Sequence, residues 1–186
     1  MKRTGVVVGI LVLAAALQGV AIAQAMATLV ITIKTGDAPG NGRIRVLTSQ
    51  GEEVARGTSG QPINVPPGIY VLSVQNLDLL DRPERRRRDV ELNTGLTKHT
   101  SEWPLAQVKL ITRVGGRPAR TKVVLQHQGG GDPVAEFASG TLIKISPGRY
   151  QAQVHRGRNV TTVTGLQFIE GAIQQIPINV QWQSDP

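Results

Sequence analysis

The chain of 186 residues contains no cysteine, and aromatic residues make up only 3% of it. The first absence excludes disulfides, so the fold is held by burial alone. It also removes the thiol on which a lipid anchor behind an export signal is built. The scarcity of aromatics leaves Val, Ile and Leu to form the interior, a composition suited to pleated sheets. Helical periodicity is almost missing beyond residue 25, and long apolar runs are missing too. Val6 to Leu17 is about a dozen residues, well short of the roughly 20 that cross a bilayer.

Reactive constellations are equally sparse. His99, His127 and His155 stand far apart, with no second ligand at helical spacing, whereas zinc needs clustered His, Cys or carboxylates. Gly129-Gly130-Gly131 lacks the following Lys-Ser/Thr and the helix of a phosphate loop, and reads as a hairpin tip. Ser59 and Ser139 do not sit in a Gly-x-Ser-x-Gly elbow. No carboxylate pair stands out for glycoside chemistry. No catalytic, cofactor-binding or metal residue is therefore assigned, and the chain is expected not to be an enzyme.

What is present begins with an address. Met1-Lys2-Arg3, the apolar run and Ala21-Ile22-Ala23-Gln24-Ala25 describe a signal peptide over 1–25, cut after Ala25 with Ala23 as the second site. The mature chain is then expected in the periplasm or outside the cell, with no transmembrane span.

The rest of the chain repeats itself. Val65-Pro66-Pro67-Gly68-Ile69-Tyr70-Val71-Leu72-Ser73-Val74 returns about 80 residues later as Ile145-Ser146-Pro147-Gly148-Arg149-Tyr150-Gln151-Ala152-Gln153-Val154. Ser59-Gly60 matches Ser139-Gly140, and Leu29 to Ile33 matches Val108 to Thr112 with a one-residue slip. Short alternating runs between turn residues give seven strands per copy. In the first copy the sixth is expected over Arg88 to Leu92. Gly165 is expected to bend or bulge its counterpart, Val160 to Phe168. Tyr70, Leu72, Val74, Tyr150, Ala152 and Val154 should face two interiors. The expected fold is all-β: two tandem antiparallel seven-stranded β-sandwiches, at 26–104 and 105–186, joined at Trp103-Pro104-Leu105.

The strand, Pro-Gly turn and x-Tyr-x-x-x-Val pattern resembles the bacterial PEGA-like and carboxypeptidase-regulatory-like modules, small sandwiches related in form to transthyretin. The likeness covers each copy nearly end to end. It implies spacers, binding surfaces or appendages and names no ligand. The His- and Arg-bearing strands and the terminal Tyr-Arg-Gly-Ser of transthyretin-shaped enzymes are absent.

Features found in both copies read as scaffold, and features of one copy as candidates for function. Of the formal charge of +8, Lys2 and Arg3 belong to the signal. Residues 26–104 hold ten basic and nine acidic side chains, and residues 105–186 hold nine and four. The excess therefore lies in the second copy. Arg85, Arg86, Arg87 and Arg88 lie in a segment read as an insertion of the first copy. They form either an anion clamp on a loop or a hairpin tip neutralised by Asp81, Glu84, Asp89 and Glu91. Alternation sends Arg85 and Arg87 to one side and Arg86 and Arg88 to the other. Arg113, Arg117, Arg120 and Lys122 form a second basic group, joined by Arg156 and Arg158 if their loops share one end. The expected partner is an envelope protein face, an acidic polysaccharide or an anionic lipid headgroup. Nucleic acid is not expected, because no aromatic interleaves with the arginines. The other reading is a structural spacer or assembly subunit joined by strand-edge pairing.

Overall fold

The computed structural model describes residues 25–182, in which there are sixteen strands and no helix. The segment read as a signal peptide lies outside them, apart from Ala25. In the first sandwich β1 (Ala27–Thr35) pairs antiparallel with β5 (Pro62–Val65) at its start and with β2 (Ala38–Gly40) at its end. Along its other side it pairs with β8 (Gly95–Trp103). The facing sheet has the order β4 (Glu53–Thr58), β3 (Gly42–Leu47), β6 (Gly68–Asn76), β7 (Glu84–Leu92). The second sandwich repeats this plan. There β9 (Ala106–Val114) pairs with β10 (Arg117–Pro118), β13 (Leu142–Ile145) and β16 (Ile173–Val180). The facing sheet runs β12 (Ala135–Ala138), β11 (Lys122–His127), β14 (Gly148–Arg156), β15 (Asn159–Phe168).

Two details correct the expected topology. Each sandwich has eight strands, the additions being the very short β2 and β10. The first and last strands of each sandwich are parallel, in an otherwise antiparallel scheme. Because β1 and β8 run the same way, the chain enters a sandwich at one end and leaves at the other. That displacement is about 30 Å over nine extended residues. Only Pro104 and Leu105 lie between β8 and β9.

The alternation of the repeated strands fixes the interiors. All six residues expected to point inward are buried, with Tyr70 at 9% exposure and Tyr150 at 0%. Each tyrosine donates its hydroxyl to the carbonyl four residues earlier, Pro66 or Ser146, at 2.8 Å. A buried phenol is thereby satisfied while the ring fills the core. The recurring serines are scaffold as well. Ile33 N donates to Ser59 Oγ, and Thr112 N to Ser139 Oγ, both at 2.9 Å. In the second core Tyr150 stacks between His127 and Phe168, at centroid distances of 5.0 and 4.7 Å. Trp103, the last residue of β8, is buried in the first cluster. Trp182, two residues past β16, packs on the second and donates Nε1 to Thr161 Oγ1 at 2.8 Å.

The true insertion of the first copy is Leu77–Pro83, seven residues between β6 and β7 where β14 and β15 are joined by Gly157 and Arg158. Buried Asn76 shapes its entry, accepting from Asp78 N (2.8 Å) and Leu79 N (3.2 Å) and donating to Thr35 Oγ1 at 2.7 Å. Asp78 in turn accepts from the backbone and side chain of Asn41. Leu79, 1% exposed, anchors the loop in the first core. The next two residues reach the second sandwich. Leu80 N donates to Lys144 O at 2.8 Å, and Asp81 Oδ1 accepts from Ser146 N at 3.2 Å. The insertion is thus a clasp between the two sandwiches.

Candidate anion-binding faces

The four arginines lie in strand β7, not on a loop. A bulge explains their orientation. Tyr70 is paired with Val90 but Leu72 with Arg87, so Arg88 and Asp89 oppose the single residue Val71. Asp89 takes a left-handed φ of 54° there. The second sandwich has the same bulge, at Thr164 and Gly165, where Gly165 has φ 74°. The bulge expected at Gly165 is therefore present, and the first copy builds its own with aspartate, a residue that tolerates this conformation.

The bulge puts Arg85 and Arg87 opposite the inward-facing Val74 and Leu72. Arg85 lays its guanidinium 4.2 Å from the centroid of Trp103 and donates Nη1 to Glu102 O at 2.8 Å. Both groups pull the head toward the seam between β7 and β8. Arg86 is on the outer face with Ser73. Its Nε lies 2.8 Å from Glu84 Oε1, and Arg45 Nη2 lies 3.2 Å from the same oxygen. The Arg86 bond, then that from Ser73, hold the Glu84 carboxyl below its usual pKa, against a smaller opposing effect of burial. Half of the run is therefore committed within the sandwich. Arg87 and Arg88 have no ion pair or side-chain hydrogen bond among the described residues.

The candidate basic residues of the second sandwich lie at one end of it, and three of them share a hollow. Thr112, Thr121 and Ser139 are tied together by the Thr121–Thr112 hydroxyl bond (2.9 Å) and by the bonds Thr112 N to Ser139 Oγ and Ser139 N to Thr121 O. Arg113 adjoins this knot on β9, while Arg120 and Lys122 flank Thr121. Lys122 pairs with His155 across the sheet, which places the β14–β15 turn, with Arg156 and Arg158, at the same end. Arg117 opposes Val114 in the β9–β10 hairpin there. Arg120, Lys122, His155 and Arg156 line one hollow of about 530 Å³. Its acidic member, Glu136, lies 2.7 Å from Lys122. His155 Nε2 is buried there with no hydrogen-bond partner among the described residues. This end is the one remote from the link to the first sandwich, since β9 starts at the link and finishes here.

No family model matches the chain, and neither does any curated protein. Among solved structures it is similar to the Bacillus anthracis TIE protein, at 16% identity and TM-score 0.36 over 84% of this chain and 34% of that one. It is also similar to the tip fimbrial protein Mfa3 from Porphyromonas gingivalis, at 11% identity and TM-score 0.39 over 80% and 84%. A third is GBS52, the minor pilin of Streptococcus agalactiae, at 13% identity and TM-score 0.42 over 87% and 97%. The chain thus spans about a third of the first and most of the other two. All three scores lie below 0.5, and no role passes from these proteins to this chain.

Proposed function

We propose that this chain is an exported, non-catalytic binding protein of the bacterial envelope that holds an acidic partner against the far end of its second sandwich. The observation that carries the reading is the meeting of Arg120, Lys122 and Arg156 in one hollow whose carboxylate is Glu136, with Arg113, Arg117 and Arg158 at the same end of the sandwich. Guanidinium groups on several rigid strand ends suit sulfate, phosphate or carboxylate groups presented in series. The partner class is an acidic polysaccharide, an anionic lipid surface or an acidic protein face. The likeness to PEGA-like and carboxypeptidase-regulatory-like modules supports a binding or appendage role for two modules at 26–104 and 105–186.

Strand-edge assembly is the weaker reading. The free edge of β7 carries four consecutive arginines and β16 contains Pro177, and charge and proline both blunt an edge against pairing. The test is sedimentation with vesicles containing phosphatidylglycerol and retention on an acidic polysaccharide column, using the mature chain. Retention should fall steeply between about 0.1 and 0.5 M salt, where the Debye length contracts well below ~10 Å. Arg120→Glu/Arg156→Glu/Arg158→Glu should abolish it, while Arg86→Glu/Arg88→Glu should leave most of it. Equal retention of the two variants sinks the proposal.

A further inference from the structure

The two sandwiches differ most where their sheets part, at the seam between the last two strands. Ile31 pairs with His99 and Leu110 with Ile176, so His99 occupies the place of Ile176. By the same registers Ser101 stands for Ile178, Arg87 for Val163 and Arg85 for Thr161. In the second sandwich these side chains close the seam, and Leu110, Ala152 and Val154 beneath it are all at 0% exposure. In the first sandwich the same seam is a slot of about 250 Å³. Ile31, Leu72 and Val74 form its floor, Arg85 and Arg87 one wall, and His99 and Ser101 the other. No carboxylate lines it.

We infer that this slot binds a small amphiphilic anion: a carboxylate seated between Arg85 and Arg87, with a short apolar tail on the aliphatic floor. The chemistry follows from the walls. Arg87 lines the slot, remains exposed and has no counter-ion among the described residues, so its guanidinium is free to pair with an anion. The floor rewards the removal of apolar surface from water, and a free mineral anion has none to remove. The volume lies just under the range of roughly 300–1,000 Å³ for drug-sized ligands, which limits the tail to a short one. This site is on the first sandwich and is independent of the basic end of the second.

The chain's two tryptophans make the test direct. In a Trp182→Phe background Trp103 alone emits, and Arg85 stacks on it. Titration with octanoate should give a saturable change in Trp103 emission at about tenfold lower concentration than 1-octanol, the margin expected of a charge-assisted bond. Acetate, with no tail, should give none over the same range. Arg87→Val/His99→Ile/Ser101→Ile copies the second sandwich, and should abolish the response while keeping or raising the unfolding midpoint. Arg87→Gln, a milder change, should remove the preference for octanoate over octanol. Arg120→Glu/Arg156→Glu should keep the full response, which separates this site from the proposed function. Equal binding of octanol and octanoate overturns the inference, and so does an undiminished response in Arg87→Gln or in a folded triple variant.

Discussion

Replacing Asn76 with alanine strikes the clasp at its root. The residue is at 0% exposure and its side chain makes three bonds. Truncation orphans Leu79 N, which is buried, and Thr35 Oγ1, on a residue 5% exposed, whereas Asp78 N can turn toward water. Two orphaned buried groups, at about 1–3 kcal/mol each, put the loss near 2–6 kcal/mol. That is a large part of the roughly 5–15 kcal/mol by which a domain is stable. Leu79→Ala should cost a similar ~2–4 kcal/mol through its cavity. The two losses should be less than additive, because either change frees the same segment. Urea unfolding followed by Trp103 emission in the Trp182→Phe background reads the first sandwich, whose core holds Trp103. A shift under about 0.5 kcal/mol for Asn76→Ala, or strict additivity with Leu79→Ala, refutes the claim that Asn76 organises the clasp.

Two further outcomes follow from the repeated elements. Burial first, then the nearby Asp81 charge, raises the Tyr150 phenol above its usual pKa. The unfolded chain releases that proton near pH 10 and the folded chain does not. Stability from this group is therefore whole below about pH 10 and lost above it, by up to about 1.4 kcal/mol per pH unit. Tyr150→Phe should flatten this part of the alkaline limb in unfolding measured at stepped pH, while costing about 1 kcal/mol at neutral pH for the bond to Ser146 O. Gly165→Asp should cost less than about 1 kcal/mol, because nothing stands within 4 Å of the new Cβ and Asp89 already occupies the matching bulge. Gly165→Val should cost distinctly more by thermal unfolding, since a β-branched side chain resists a positive φ.

The sandwich plan was legible because it is written twice. Recurrence separated Tyr70 and Tyr150, and Ser59 and Ser139, from one-copy residues, and the structure gives each pair the same bond. Period-two alternation located the interiors for the same reason: one slip in register exposes a whole face. What stayed hidden depends on contacts distant in sequence. The parallel pairing of first and last strands is a property of closure, and no local run encodes it. β2 and β10 are too short to carry a pattern. The clasp left a faint signal in Leu77, Leu79 and Leu80, apolar residues in an apparent loop that opens with Asn76-x-Asp78. Of the three, Leu79 is buried in the first core, while Leu80 bonds to the second sandwich through its backbone.

The arginine run shows how one extra residue redirects function. Counting back by twos from the buried Val90 and Leu92 puts Arg88 and Arg86 on the inner face. The bulge at Arg88 and Asp89 inserts a step and sends Arg87 and Arg85 there instead. The same step leaves Arg86 beside Glu84, where its charge is spent, so the run cannot act as one four-pronged clamp. Two arginines at inner positions of the strand keep their exposure only where the sheets part. The small or polar inner residues Ser101, His99 and Thr97 of β8 leave room at that seam, whereas Ile178 and Ile176 fill it in the second copy. The arginines and the gap depend on each other. Aliphatic residues on β8 would displace Arg85 and Arg87 from the seam, and aliphatic residues on β7 would close the slot.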